Sequence, residues 1–125
     1  MPKILVADDE PHIRMLMEET FEDLETEGVT VLFAENGAKA LDMVRAERPE
    51  LVFLDIMMPQ MNGYEVCKAI RQDPELSSVR IVMLTAKGQA FDREKGLELG
   101  AQEYLTKPFN PLGVVRLARQ LLGLA

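Results

Sequence analysis

Short runs of apolar residues alternate with helix-period patterns from one end of this 125-residue chain to the other, and that alternation constrains the fold more than any other feature. Five runs stand out: Ile4 to Ala7, Val29 to Ala34, Leu51 to Leu54, Ile81 to Leu84 and a weaker Ala101 to Leu105. The first, third and fourth are almost unbroken Ile, Leu, Val, Phe and Met, as expected of parallel strands covered by helices on both faces. The fifth carries Gln102 and Glu103 and reads as an edge strand. Between the runs, Ile13, Leu16, Met17, Phe21 and Leu24 recur at three- and four-residue spacing, which predicts one amphipathic helix. Asn36-Gly37 opens a second, with Ala40, Leu41 and Val44 facing inward and Pro49 closing it. Asn62-Gly63 precedes a third, with Val66, Ala69 and Ile70, ended by Asp73-Pro74. A fourth is expected from about Gln89 to Leu99, with Gly100 as a left-handed cap. Val114, Leu117, Ala118 and Leu121 mark the last, ended by Gly123. These units fill the chain without remainder. The expectation is one α/β domain over residues 1–125, a doubly wound five-stranded parallel sheet of order 2-1-3-4-5 flanked by five helices.

Charge and cysteine content then remove whole classes of function. Fourteen Lys and Arg against 21 Asp and Glu give a net charge of −7, which repels a phosphate backbone and argues against direct nucleic-acid binding. The single cysteine, Cys67, cannot form an internal disulfide, and the single His12 cannot build a Cys/His zinc site. Cys67 reads as a packing residue and His12 as a solvated one. The apolar stretch before Asp8 is too short for a signal peptide or a membrane span, so the expected location is cytoplasmic, with no membrane contact.

In a sheet of this order, ligands bind beyond the carboxyl ends of the strands, near the point where strand order reverses. Asp8 and Asp9 follow the first run, Asp55 follows the third, Thr85 ends the fourth and Lys107 lies just past the fifth. Three carboxylates, a hydroxyl and an ammonium therefore converge from distant parts of the sequence. Carboxylates crowded within about 4 to 6 Å raise one another's pKa unless a cation intervenes. A hard divalent ion such as Mg2+ suits the all-oxygen set. Asp8-Asp9-Glu10 ahead of Pro11 also has a purely structural reading, as a cap on the first helix. Asp55 does not share it, because a carboxylate at the end of Leu51-Val52-Phe53-Leu54 is costly unless used. Met57, Met58 and Met61 cluster in the loop after it and offer a candidate docking surface.

The stretches Ile4-Leu-Val-Ala-Asp-Asp-Glu10, Leu54-Asp-Ile-Met-Met-Pro-Gln-Met-Asn-Gly63, Met83-Leu-Thr-Ala86, Gly96-Leu-Glu-Leu-Gly-Ala101 and Tyr104-Leu-Thr-Lys-Pro-Phe109 together carry a resemblance. Over its full length the chain is similar to the receiver domains of two-component response regulators. The resemblance implies that Asp55 is the phosphoacceptor, with Mg2+ or Mn2+ held by Asp8, Asp9, Asp55 and the Met57 backbone carbonyl. It implies that Thr85 is the switch hydroxyl, Lys107 the ammonium that pairs with the phosphoryl group, and Tyr104 the switch aromatic. Lys107-Pro108 matches a bond that is usually cis in the family. Ala86 leaves room for the incoming group, and Met57 and Lys87 stand where the family tunes dephosphorylation.

The implied donor is a sensor histidine kinase or a phosphotransfer protein, and the implied output is a downstream protein target or effector domain. The role is that of a signalling phosphoacceptor rather than an enzyme acting on other molecules. Docking is expected on the face of the fourth helix, fifth strand and last helix. Gly113 and Leu117 replace charged residues used in one family dimer, leaving Arg93 without its expected partner, so a heterologous partner is expected there.

Three competing readings fit less well. A haloacid-dehalogenase phosphatase needs a second acid where Met57 stands. A flavodoxin needs a phosphate-binding loop where the chain has Asp8-Asp9-Glu10. A degenerate receiver, used only as an interaction module, would not need all of Asp8, Asp9, Asp55, Thr85 and Lys107.

Overall fold

Each of the five apolar runs forms a strand in the computed structural model, which describes residues 2–86 and 98–124. The strands are β1 (Lys3–Ala7), β2 (Thr30–Ala34), β3 (Leu51–Asp55), β4 (Arg80–Thr85) and β5 (Glu103–Thr106), all parallel, in the order β2-β1-β3-β4-β5. β5 is an edge, as its polar residues predict. The helices that lie wholly within the described residues are α1 (Pro11–Thr20), α2 (Glu22–Thr26), α3 (Gly37–Glu47), α4 (Gly63–Gln72) and α5 (Pro111–Leu122), with a 3-10 turn at Pro74–Leu76.

Side chains on a strand point alternately to its two faces, so the unbroken apolar strands must supply two cores at once. Leu5, Ala7, Val52, Leu54, Ile81 and Met83 face α3 and α4 and pack with Ala40, Val44, Val66 and Ile70. Ile4, Val6, Leu51, Phe53, Val82 and Leu84 face the opposite way and pack with Met17, Phe21, Leu24, Val114 and Ala118 of α1, α2, α5 and the residue joining the first two. Both faces being covered, the sheet offers its polar ends as the place for chemistry.

The helix signals hold in detail at α3 and α4. Asn36 caps α3 by accepting from the Lys39 N–H, and Asn62 forms a full capping box with Glu65 on α4. Gly100 and Gly123 take positive φ values of 96° and 71°, as expected of left-handed caps.

The first helix is a correction. Its stripe is right, with Ile13, Met17, Phe21 and Leu24 buried, but it serves two helices rather than one. The Thr20 hydroxyl donates to the Leu16 carbonyl at 2.6 Å, and Phe21 leaves the helical path at φ −95°, ψ 7°. A side chain bonding back to the i−4 carbonyl in this way tends to bend a helix. Phe21 uses the break to bury its ring 5.5 Å from that of Phe53. The helix expected over Gln89 to Leu99 lies largely outside the described residues. Among the described residues, no helix is long and apolar enough to cross a membrane.

Candidate functional site

Among the described residues, the buried polar or charged side chains are Asp8, Asp55 and Thr85. All three sit at the carboxyl ends of central strands, where the alternation that feeds the two cores gives way to polar residues. Asp8 continues the path of β1, its N–H donating to the Ala34 carbonyl at 3.1 Å. Asp55 ends β3 and Thr85 ends β4, and the Lys107 N–H donates to the Thr85 carbonyl at 2.7 Å, which brings the lysine in from β5. The Lys107-Pro108 bond is cis.

Lys107 Nζ lies 2.8 Å from Asp8 Oδ2, 3.4 Å from Asp55 Oδ2 and 3.5 Å from Glu10 Oε1. Asp55 Oδ1 accepts the Met57 N–H at 3.2 Å. Burial, reinforced by the negative charge of Asp8, pushes the Asp55 pKa up to about 7, although Lys107 and the Met57 N–H act in the opposite direction. Burial opposes the charge on Lys107 as well, yet the carboxylates of Asp8, Asp55 and Glu10 hold its pKa above the ordinary lysine value. Among the described residues the site is thus short of positive charge: Lys107 pairs with three acids of a four-acid cluster.

Ligand oxygens of Asp8, Asp9, Glu10 and Asp55 all lie within 4.8 Å of one another. Apart from the ammonium beside it, buried Asp8 Oδ2 takes no hydrogen bond among the described residues. A clustered, all-oxygen donor set of this kind fits a hard divalent cation such as Mg2+ and does not fit zinc.

Asp8, Asp9, Asp55 and Lys107 are therefore brought together as the sequence predicts. Thr85 is fully buried, its hydroxyl 3.3 Å from the Ala86 carbonyl. Tyr104 is half-buried on β5 opposite Met83. Ala86 is exposed, while Lys87 and Arg93 lie outside the described residues.

Glu10 is the cap residue of α1 and makes no capping bond through its own side chain, while Asp8 Oδ1 accepts the Glu10 N–H at 2.9 Å. The methionine loop is less of a surface than expected: Met57 is 63% exposed, but Met58 is buried and Met61 packs against the core. Cys67 is buried, and burial raises its thiol pKa. His12 is exposed and paired with Glu10 at 3.2 Å. Sequence reasoning missed two participants. Glu10 joins the acidic cluster, and Arg14 donates from Nη1 to the Asp8 carbonyl at 2.7 Å, one helical turn from Glu10. The spacing of both from Asp8 was legible, but their direction was not.

Comparison with known proteins gives a consistent result. Residues 4–119 match the family model of the response regulator receiver domain. The alkaline phosphatase synthesis transcriptional regulatory protein PhoP of Bacillus subtilis (strain 168) is 47% identical over 109 residues, 87% of this chain and 43% of that protein. The chain thus spans less than half the length of that relative. The chemotaxis response regulator CheY4 of Vibrio cholerae superposes with a TM-score of 0.86 at 31% identity, covering 97% of this chain and 98% of that one. The receiver domain of sensor histidine kinase PA1611 from Pseudomonas aeruginosa PAO1, solved with a magnesium ion coordinated in its active site cleft, gives 0.86 at 28% identity over 98% of each chain.

Proposed function

Because this chain belongs to the response regulator receiver domain family, we propose that residues 1–125 form one receiver unit in which Asp55 accepts a phosphoryl group. The observation that carries this is the acidic cluster of Asp8, Asp9, Glu10 and Asp55, in which Asp8 and Asp55 are buried and Lys107 pairs with Asp8, Glu10 and Asp55. A carboxylate oxygen of Asp55 attacks phosphorus, forming a carboxyl–phosphate bond as the bond to the donor breaks and the donor leaves with the electron pair. Phosphoryl transfer asks a protein for positioning and charge neutralisation more than for covalent chemistry. Lys107 supplies charge at the phosphoryl oxygens, and the Met57 N–H orients the nucleophile through Oδ1. Asp8, Asp9, Asp55 and the Met57 carbonyl would hold Mg2+ or Mn2+, which when bound supplies the further positive charge that the site lacks. The same charge favours ionised Asp55, the nucleophilic form.

The donor on this reading is a histidine kinase, a phosphotransfer protein or a small acyl phosphate, and the setting is cytoplasmic. A new dianion beside the Thr85 hydroxyl gives it a strong acceptor, and its movement, followed by Tyr104, carries the signal to the surface around β5 and α5. The PA1611 magnesium and the transcriptional role of PhoP support the reading by analogy. Incubation with acetyl phosphate and Mg2+, followed by intact-mass analysis, tests it. One added phosphoryl is expected, lost with chelator and in Asp55→Asn. A chain that takes up no phosphoryl in either form would instead be a phosphorylation-independent interaction module.

A further inference from the structure

Helix α3 contributes no side chain to the acidic cluster, yet its first residue touches the loop that leaves Asp55. Gly37 is buried, and a Cβ built on it would lie 1.8 Å from the Met61 carbonyl oxygen and 2.6 Å from its carbon. Among the described residues the glycines with positive φ are Gly28, Gly100 and Gly123, so backbone freedom is not what Gly37 provides. Helix propensity alone favours alanine at such a position. The close backbone approach of Met61 is what requires glycine.

The loop beyond that contact is bent sharply and closed at its base. The Met61 N–H donates to the Pro59 carbonyl at 2.8 Å across Gln60, whose φ is 69°. That is a γ-turn of the rare, strained positive-φ kind. At the base, the Gly63 N–H donates to the Ile56 carbonyl at 2.9 Å, and a Cβ at Gly63 would lie 2.5 Å from the Asp55 carbonyl oxygen. Met57, which bonds Asp55 Oδ1 through its N–H, is carried between these two backbone contacts. A strained non-glycine conformation persists only where its surroundings over-determine it. Here the surroundings are Gly37 at the tip and Gly63 at the base.

We propose that Gly37 is a positioning residue: by seating the Met61 carbonyl it holds the strained turn at Gln60, and through that turn it sets the Met57 backbone against Asp55. The inference rests on the reading of Asp55 given above and assigns α3 a part in it. A side chain at residue 37 lifts the loop tip, so the N–H and carbonyl of Met57 move away from the nucleophile and from the cation that it shares.

Gly37→Ala is tested by urea unfolding, by Mg2+ titration calorimetry without any phosphodonor, and by the rate of acetyl phosphate labelling. It is expected to unfold cooperatively, to bind Mg2+ about fivefold or more weakly and to label about tenfold more slowly, whereas Ala38→Gly in the same turn of α3 keeps both within about twofold. Gln60→Gly relieves the positive-φ penalty and lets the tip yield, so adding Gly37→Ala to it should change Mg2+ affinity by less than about twofold. Wild-type Mg2+ affinity and labelling in Gly37→Ala overturn the proposal, as does an equal loss in both backgrounds. A Gly37→Ala protein that fails to fold is read through the double variant: folding and Mg2+ binding restored by Gln60→Gly support the seat, and a double variant that stays unfolded overturns it. Labelling that persists in Asp55→Asn defeats the reading of Asp55 itself, whatever Gly37 does.

Discussion

Two acidic regions of this molecule have similar composition and opposite character. On α1 and α2, Glu18, Glu19, Glu22 and Glu25 surround Met15 in an open groove of about 410 Å³. All four glutamates are exposed, and Met15 is 63% exposed. At the sheet ends, Asp8, Asp9, Glu10 and Asp55 cluster and Lys107 pairs with three of them, Asp8, Glu10 and Asp55, with Asp8 fully buried and Asp55 only 4% exposed. The first region is solvated, and water and salt screen its charges. In the second, Asp8 and Asp55 are held where water cannot do so, and burial raises Asp55 to about 7. Counting acids does not separate the two. What separates them is that one set arises along one continuous stretch of chain, α1 and α2, whereas the other converges from the ends of β1 and β3 on a lysine delivered by the segment after β5.

The largest expected difference is chemical. Neutralising the outer quartet with Glu18→Gln, Glu19→Gln, Glu22→Gln and Glu25→Gln should leave acetyl phosphate labelling within about twofold, while Asp55→Asn lowers it by more than about a hundredfold. Comparable losses from the two sets, read by intact mass, would erase the distinction between the regions.

Ion pairing should differ next. Removing the ammonium with Lys107→Ala leaves Asp8 and Asp55 buried without a counter-ion, which costs on the order of 3–5 kcal/mol in chelator. Arg119 pairs with Glu27 at the end of α2, where both side chains are partly exposed, and Arg119→Ala should shift the urea midpoint far less than Lys107→Ala does, because solvent screens an exposed pair. Urea midpoints of the two variants, with Mg2+ and without, check the contrast.

A pH series sharpens it further. The folded-state pKa of Asp55, about 7, lies above its ordinary value of 3.8. Between these values the folded chain holds a proton that the unfolded chain has released, so the stability contributed by this group is lost as pH rises through that window. In chelator the loss from pH 4 to pH 7.5 should be on the order of 2–4 kcal/mol relative to Asp55→Asn. Parallel stability curves for wild type and Asp55→Asn would contradict this.

The smallest expected effect is on lifetime. Met57 is apolar and exposed beside Asp55, and neither Met57 nor Lys87 is suited to orient an attacking water. The phosphorylated Met57→Asn/Lys87→Glu variant should therefore lose its phosphoryl group about three- to tenfold faster than wild type, followed by intact mass over time. Faster decay in wild type would overturn that reading.

The sheet was legible because apolar alternation is a local signal, and a strand buried on both faces leaves it nearly unbroken. The convergence of Asp8, Asp9, Asp55 and Lys107 was legible one step later, because strand order alone puts those ends together. The break at Phe21 was not, since one stripe of Ile13, Met17, Phe21 and Leu24 serves a bent pair of helices as well as a straight one. The approach of Gly37 to Met61 was not legible either. Asn36-Gly37 reads locally as a helix start, and only the packed structure shows which backbone lies against it. Glu10 belongs to the same class: its neighbours in sequence were visible, but its reach toward Lys107 depends on how α1 leaves the sheet.

The most direct test is to locate the phosphoryl group. After incubation with acetyl phosphate and Mg2+, borohydride reduction converts an aspartyl phosphate to homoserine, and peptide sequencing by tandem mass spectrometry reads its position. The account predicts homoserine at residue 55 and nowhere else. Modification confined to any other residue, with Asp55 intact, would contradict it.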